Sequence, residues 1–362
     1  MAGVGLIGGS IALGARERSL AGKVVGFDHD ASVLDAATGI GAIDEARLEP
    51  GPWLTEADLV VLAAPTKALP GLAAGLLPHL RPSAIVTDVG SVKRPVLAAL
   101  DGLIGRGRNR PRFVGGHPMA GSERSGVLNA DASLLENAVW VLTPTPDTDV
   151  DALSTVRAFV EGLGARPIDI APELHDRLVA TVSHLPYLAA VALTGLIDGG
   201  EERSLKMLLA AGGFRDLTRV ASGDPRMSRD MVADNADAVR SALNAFRAEL
   251  DAIEAVLDEP GALLQRAEAA KRSRDAIPIV RRGLLPARHE LVIAVRDRPG
   301  EFAHITAVLA ESQVNIKDIE VLGVRESGGA VRLAFEDRSA LEVGRDVLAA
   351  AGYQVRTRNG AG

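Results

Sequence analysis

His117 stands in Gly115-Gly116-His117-Pro118-Met119-Ala120-Gly121-Ser122-Glu123, the densest polar cluster of the chain. Near neutral pH an imidazole is the side chain best suited to take a proton from a hydroxyl. Flanking glycines let the backbone come close to a ligand. A loop histidine that caps a helix or faces water is the plainer reading of the same residues. Ser91, in Asp88-Val89-Gly90-Ser91-Val92-Lys93, could cap a helix, or orient His117 or a substrate hydroxyl. A third group, Gly212-Gly213-Phe214-Arg215-Asp216-Leu217-Thr218-Arg219, joins a glycine turn to two arginines. Arginine forks onto a carboxylate, and a charged hydrogen bond of that kind is worth roughly 1.5–3 kcal/mol. A surface pair with Asp216 or Asp224 is the alternative. Pro186 frees the carbonyl of Val182 and should kink the helix that carries His184. Spacing puts Arg177, Thr181 and His184 on one polar face, where His184 is either a buried, satisfied histidine or a ligand contact.

A second chemistry is written at the start of the chain. Gly3-Val4-Gly5-Leu6-Ile7-Gly8 is a G-x-G-x-x-G turn, which lays a pyrophosphate on a helix N-terminus. Asp28 follows Gly8 by 20 residues at the end of a strand. A carboxylate there accepts both hydroxyls of a ribose and repels a 2′-phosphate, which favours NAD over NADP. A solvated strand-end aspartate is the alternative. Pro65-Thr66 and Gly90-Ser91 end two more strands on the carboxyl edge, where such sheets bind ligands. Almost nothing precedes the turn, so its own strand is missing. Met1-Ala2 is too short to fill that central place, and the natural chain is expected to begin several residues upstream.

The elements that must position these groups follow from periodicity. Short β-branched runs at 23–27, 59–63, 84–87, 112–114 and 139–142 alternate with helical stretches, which predicts a parallel sheet with helices on both faces over 1–146. From 147 to 285 helical patterns take over. Val232, Ala236, Val239, Leu243, Phe246, Leu250, Ile253 and Leu257 form one apolar seam along one long helix. The seam is either an internal core stripe or a contact with a second subunit. Pro278, Pro286 and Arg281-Arg282 mark a linker, and 286–362 reads β-α-β-β-α-β, a small ferredoxin-like module.

Composition bounds the function. The 362 residues include 47% hydrophobic but only 3% aromatic residues, so the cores are aliphatic. A net charge of −7 argues against a nucleic-acid partner. Zero cysteines exclude disulfides and thiolate chemistry and are compatible with the cytoplasm. The longest apolar stretch, 178–197, carries Ser183, His184, Pro186 and Tyr187, which reads as a buried helix rather than a membrane span.

Stretches 3–10, 88–93, 115–126, 182–186 and 212–219 together resemble the prephenate and arogenate dehydrogenases, the oxidative enzymes of tyrosine biosynthesis. The Gly-Gly-His-Pro-Met-Ala-Gly-Ser-Glu run is the specific part. Asp297-Arg298-Pro299-Gly300-Glu301 and Val314-Asn315-Ile316 resemble an ACT domain. The resemblance implies a Rossmann-like sheet, a helical substrate and dimerisation domain, and a regulatory module. It implies His117 on the substrate hydroxyl, supported by Ser91, and Arg219 on a substrate carboxylate. His184, Glu123 and Gly212 would line the pocket, and Asp216 would fix the loop. Gly3, Gly5, Leu6, Ile7, Gly8, Asp28, Pro65 and Thr66 would hold NAD. Gly300, Glu301, Asn315 and Ile316 would hold a small amino acid, with tyrosine the natural effector, unless the module only dimerises. Family members often carry a tryptophan shortly after Asp-Leu-Thr-Arg; this chain has Ser228 there. Two other readings stay open. One is a β-hydroxyacid dehydrogenase or imine reductase, although the helix near His184 offers no catalytic lysine. The other is an amino-acid sensor with an inactive oxidoreductase part. Prephenate and arogenate are not distinguished.

Overall fold

The structure is a computed structural model that describes all residues except 102, 105–109, 122–123, 278–288, 297, 326–327 and 360–362. The chain divides into two compact units, Met1–Arg282 and Gly283–Gly362. The expected linker around 278–286, and with it the 285/286 boundary, lies outside the described residues.

The first unit opens with α1 (Leu6–Glu17), β1 (Val25–Phe27), α2 (Ala31–Gly39), β2 (Glu45–Arg47), β3 (Leu59–Leu62) and α3 (Leu69–Leu76). It continues through β4 (Ile85–Asp88), α4 (Arg94–Asp101), β5 (Arg112–Pro118), β6 (Val139–Thr143), α5 (Val150–Gly162) and β7 (Arg166–Asp169). One ladder runs β3-β4-β5-β6-β7 and another pairs β1 with β2. Ala2 joins them through parallel bridges to Phe27 and Leu62. At the expected gap in the centre of the sheet, this single residue bridges the two ladders. Ala2 N–H donates to Val61 O at 2.8 Å and Ala63 N–H donates to Ala2 O at 2.6 Å. On the other side Gly3 N–H donates to Phe27 O, and Phe27 N–H to Met1 O, each at 2.8 Å. The Met1 ammonium is buried against Val25 O at 2.7 Å, and that burial lowers its pKa to about 6.

Two further expectations are corrected. The sheet is not wholly parallel, because β6 runs antiparallel to β5. It also does not stop at 146. Helix α5 packs Val156 and Val160 into the core, and β7 pairs in parallel with β6, so the sheet reaches Asp169. Strand β7 reads Arg-Pro-Ile-Asp and lies mostly exposed at the sheet edge, which is why it lacks an apolar signature. Apolar layers cover both faces, one around Ile11, Trp140 and Val156, the other around Leu62, Leu69 and Leu76.

The helical part contains α6 (Pro172–Val179), α7 (Leu185–Gly195), α8 (Arg203–Leu209), α9 (Gly212–Thr218), α10 (Pro225–Asp234), α11 (Ala236–Glu254) and α12 (Pro260–Asp275). At the expected Pro186 kink, a π-turn, Ala180–His184, links α6 to α7. The expected long seam is split, since Asn235 ends α10 and precedes α11. Val239 is buried, but Phe246, Leu250, Ile253 and Leu257 are exposed in the single chain. The 178–197 segment is likewise not a buried helix here: Val182 and Leu196 lie open, and Pro172–Gly195 is long and apolar enough by length and composition to cross a membrane. Among the described residues nothing in one chain covers these apolar faces.

The second unit matches the β-α-β-β-α-β expectation. It comprises β8 (His289–Val295), α13 (Glu301–Glu311), β9 (Asp318–Arg325), β10 (Gly328–Phe335), α14 (Arg338–Ala350) and β11 (Val355–Asn359). The strand order is β11-β8-β10-β9, all antiparallel. Leu291, Ile293, Val331 and Leu333 meet Ile305 and Leu348 in its core.

Candidate active site

The glycine turn fits a dinucleotide. Gly3 has φ +91°, and a Cβ there would lie 2.5 Å from Ala63 O. A Cβ on Gly8 would run into the Gly3 carbonyl, whereas one on Gly5 would meet nothing within 4 Å. The turn is thus packed against the residues that follow β3 and against itself, and is open at Gly5. Gly5 precedes α1 with no side-chain cap, which leaves the amides of Leu6 and Ile7 available to an anion. Asp28 follows β1 and accepts from Val4 N at 3.0 Å and from Asp30 N at 3.2 Å. A carboxylate has about four acceptor positions, so ribose hydroxyls can still be received. Pro65 and Thr66 follow β3 on the same edge. The next residue, Lys67, reaches Asp230 of α10 at 2.8 Å and ties this edge to the helical part.

His117 lies inside β5 rather than in a loop after it. The β4–β5 ladder runs to Thr87 and Val114 and then gives way to side chains. Asp88 Oδ1 accepts from Gly116 N at 3.0 Å, and Asp88 Oδ2 from Gly90 N at 2.8 Å. Lys93, fully buried, bonds to Asp88 Oδ2 and donates to Gly116 O at 2.6 Å. Burial lowers the Lys93 pKa, and Asp88 and Asp176 oppose that shift. This ion pair takes the place of backbone pairing and holds the strand open just where His117 stands.

Three imidazoles converge there. His117 Nδ1 lies 2.8 Å from His175 Nε2, and His175 Nδ1 lies 2.8 Å from Asp176 Oδ1. Asp176 also receives the amides of Lys93 at 2.8 Å and Arg94 at 2.9 Å, so its carboxylate caps the start of α4. Burial would raise the Asp176 pKa, but the bonds from His175, Arg94 and Lys93 outweigh it and hold it below the ordinary value. His117 is pushed well below 6.5 by burial, then by Lys93, His175 and His184. His184 is fully buried, and burial lowers its pKa to about 4. Asn235 Nδ2 bridges Asp176 O at 2.8 Å and His184 Nδ1 at 3.3 Å. Among the described residues His184 Nε2 has no hydrogen-bond partner. His184 is therefore a buried histidine with one unused donor, which combines the two alternatives left open by its sequence.

The expected face of Arg177, Thr181 and His184 does not form. The π-turn adds a residue to its turn, so His184 joins buried His175 and Asp176 while Arg177 and Thr181 stay exposed. Gly212-Gly213 is not a turn; it is the first turn of α9. Arg219 begins a short 3₁₀ turn, Arg219–Ser222, that packs on α7, and Asp216 and Gly212 are exposed nearby. Ser91 is half-buried after β4, the strand beside His117. Ser228 is buried in α10. Glu123 and Ser122 lie outside the described residues. Sequence reasoning missed His175, Asp176 and Asn235. A His-Asp pair beginning a helix was visible, but nothing linear ties residue 175 to residue 117.

In the second unit Gly300 has φ +86° and caps α13, while Glu301 is buried and bonded to Arg298 at 2.5 Å. Arg298, burial and Tyr353 act on the Glu301 carboxyl, with Arg298 lowering its pKa most. Glu301 is thus engaged within the module. Asn315 is exposed and precedes β9, and Ile316 packs against the module core. Asp297 lies outside the described residues.

A sheet with a glycine turn at its carboxyl edge, a buried imidazole cluster and a ferredoxin-like module define a dinucleotide-dependent oxidoreductase with an additional C-terminal domain. Family profiles agree: prephenate dehydrogenase nucleotide-binding domain over residues 11–169, prephenate dehydrogenase dimerization domain over 171–265, and ACT domain over 289–351. The chain belongs to the prephenate dehydrogenase family. It is 35% identical over 344 residues to prephenate dehydrogenase of Bacillus subtilis, covering 93% of this chain and 91% of that one. A crystal structure of prephenate dehydrogenase from Aquifex aeolicus with hydroxyphenyl propionate and NAD+ superposes with TM-score 0.70 at 34% identity, over 76% of this chain and 96% of that one. Synechocystis arogenate dehydrogenase superposes with TM-score 0.63 at 33% identity, over 76% and 97%.

Proposed function

We propose that this chain oxidises prephenate with NAD and releases carbon dioxide to give 4-hydroxyphenylpyruvate. The observation that carries the reading is the buried, neutral imidazole of His117 on the strand beside the dinucleotide edge. The substrate is a cyclohexadienol with a ring carboxylate opposite its hydroxyl. NAD, when bound, supplies a hydride acceptor for the carbinol carbon. Gly3, Gly5, Leu6, Ile7 and Gly8 would cradle its pyrophosphate, Asp28 its ribose, and Pro65 and Thr66 flank it. His117 takes the hydroxyl proton, and low pKa keeps it unprotonated at neutral pH. Ser91 orients it. The resulting dienone loses its carboxylate to become aromatic, which makes the step effectively irreversible. Arg219 places the substrate without clamping the departing carboxylate, since a bond equally strong in ground and transition states does not raise turnover. The unused Nε2 donor of His184 suits a substrate oxygen, and Glu123, Asp216 and Gly212 complete the pocket.

Arogenate differs only by an ammonium on the side chain, and the arogenate dehydrogenase likeness makes it the second substrate to assay. The exposed half of the seam, from Phe246 to Leu257, supports a homodimer. The ACT module supports regulation by a small amino acid such as tyrosine. A cytoplasmic location fits this biosynthetic role.

The test is NADH absorbance on mixing the protein with NAD and prephenate, then arogenate. His117→Ala or His117→Asn should cut turnover by roughly 10²–10⁴, the worth of a positioned base. Arg219→Ala should mainly raise KM. Near-full turnover in the His117 variants overturns the assignment.

A further inference from the structure

Resting on that reading of His117, we infer that His175 and Asp176 are positioning residues that fix His117 as its Nδ1–H tautomer and thereby present Nε2 as the base. The reasoning runs outward from the carboxylate. An ionised carboxylate only accepts hydrogen bonds. Asp176 is held in place by the amides of Lys93 and Arg94 and lies 2.8 Å from His175 Nδ1. His175 Nδ1 therefore carries the hydrogen. With that hydrogen on Nδ1, the His175 ring offers Nε2 as an acceptor. His117 Nδ1 lies 2.8 Å from it and must donate. The one lone pair left on His117 is at Nε2.

The surroundings keep this order from reversing. His175 and Asp176 are both buried, so water does not compete for either nitrogen. The rings of His117 and His175 meet edge to face, 5.1 Å apart at 78°, which suits a linear N–H to N bond. Lys93 lies on the same side, its ammonium committed to Asp88 and the Gly116 carbonyl. His184 faces the cluster from the π-turn and is tied through Asn235 to the Asp176 carbonyl. Burial and the Lys93 ammonium disfavour an added proton on His117, so the imidazolium formed in turnover needs the hydrogen-bond acceptor at His175 to be stabilised. The same logic applies wherever an orienting group sets an imidazole tautomer: its loss costs turnover rather than binding.

The experiment uses the full chain and two readouts. ¹⁵N spectra of histidine-labelled protein, assigned through His117→Asn, report the tautomer directly and require no turnover. The wild type should show His117 protonated at Nδ1. His175→Gln offers a carbonyl oxygen in place of Nε2 and should keep that tautomer, whereas His175→Phe, with no acceptor, should lose it. In kinetics, His175→Phe and Asp176→Asn should lower kcat by roughly 10²–10⁴ while KM for NAD and prephenate moves less than about threefold. His175→Gln should recover most of the loss. Finding His117 protonated at Nε2 in the wild type overturns the inference, as does equal kcat in the Gln and Phe variants. Full activity of His117→Asn alongside the expected tautomer would instead sink the proposed role of His117 and leave the tautomer assignment standing.

Discussion

His184 loses its water on folding and gains one long contact, Asn235 Nδ2 at 3.3 Å. Burial is the main cause of its fall to about 4; Asp176 pulls the other way and His175 adds to the fall. An unfolded histidine titrates near 6.5. Between those values the unfolded chain binds more protons, so stability must fall as pH drops from about 6.5 to about 4 and be flat outside that window on this account. The full effect is roughly 3 kcal/mol at 1.36 kcal/mol per pKa unit. Urea midpoints at pH 7 and pH 4.5 should therefore differ more in the wild type than in His184→Gln. An equal drop in both proteins removes His184 from the acid response. The residue type announced a group able to titrate; its depth in the fold decided which form it keeps.

Strand β5 shows how an element can be shaped by what replaces its ladder. Gly116 exchanges both backbone groups with Asp88 and Lys93, and a Cβ there would lie 2.7 Å from Asp88 O and 2.8 Å from Trp140 Nε1. Neither neighbour can retreat cheaply, since one is backbone and Trp140 is fully buried. Gly116→Ala should cost about 1–3 kcal/mol, the usual range for overpacking, and lower turnover because His117 moves with the strand. Gly212→Ala is the contrast. It starts α9 with open space around it, and should be neutral or stabilising by up to about 1 kcal/mol. Thermal melts of the two variants check both signs. The helices and most strands were legible from period and turn residues. Strands β2 and β7 were not, because Glu45-Ala46-Arg47 and Arg166-Pro167-Ile168-Asp169 are edges with no buried residue and no apolar alternation. Helical spacing also misplaced His184, because it assumes 3.6 residues per turn and the π-turn does not comply.

At the scale of the whole molecule, two units share one chain, and Met1–Arg282 holds the buried histidine cluster. If the ACT module is the receptor for tyrosine, inhibition of the full chain should disappear on removal of residues 286–362 while basal turnover persists. Equal inhibition of both forms would place tyrosine in the active site instead. Turnover followed by NADH absorbance across a tyrosine titration decides between them. The exposed run from Phe246 to Leu257 is the corresponding statement about assembly: one chain leaves apolar surface that a second copy would cover.

Local chemistry is what the amino-acid order determined alone. A glycine turn needs φ and space that other residues refuse, a strand-end aspartate can receive a ribose, and His117 with its glycines can meet a hydroxyl; each is a property of a few adjacent residues. Only the fold decided which groups act on His117. Its partner His175 is 58 residues away, and Asn235 is 59 from Asp176. Hydrogen bonds act over about 3 Å, so such pairs exist only once the sheet and α6 have packed, and no spacing along the chain encodes them.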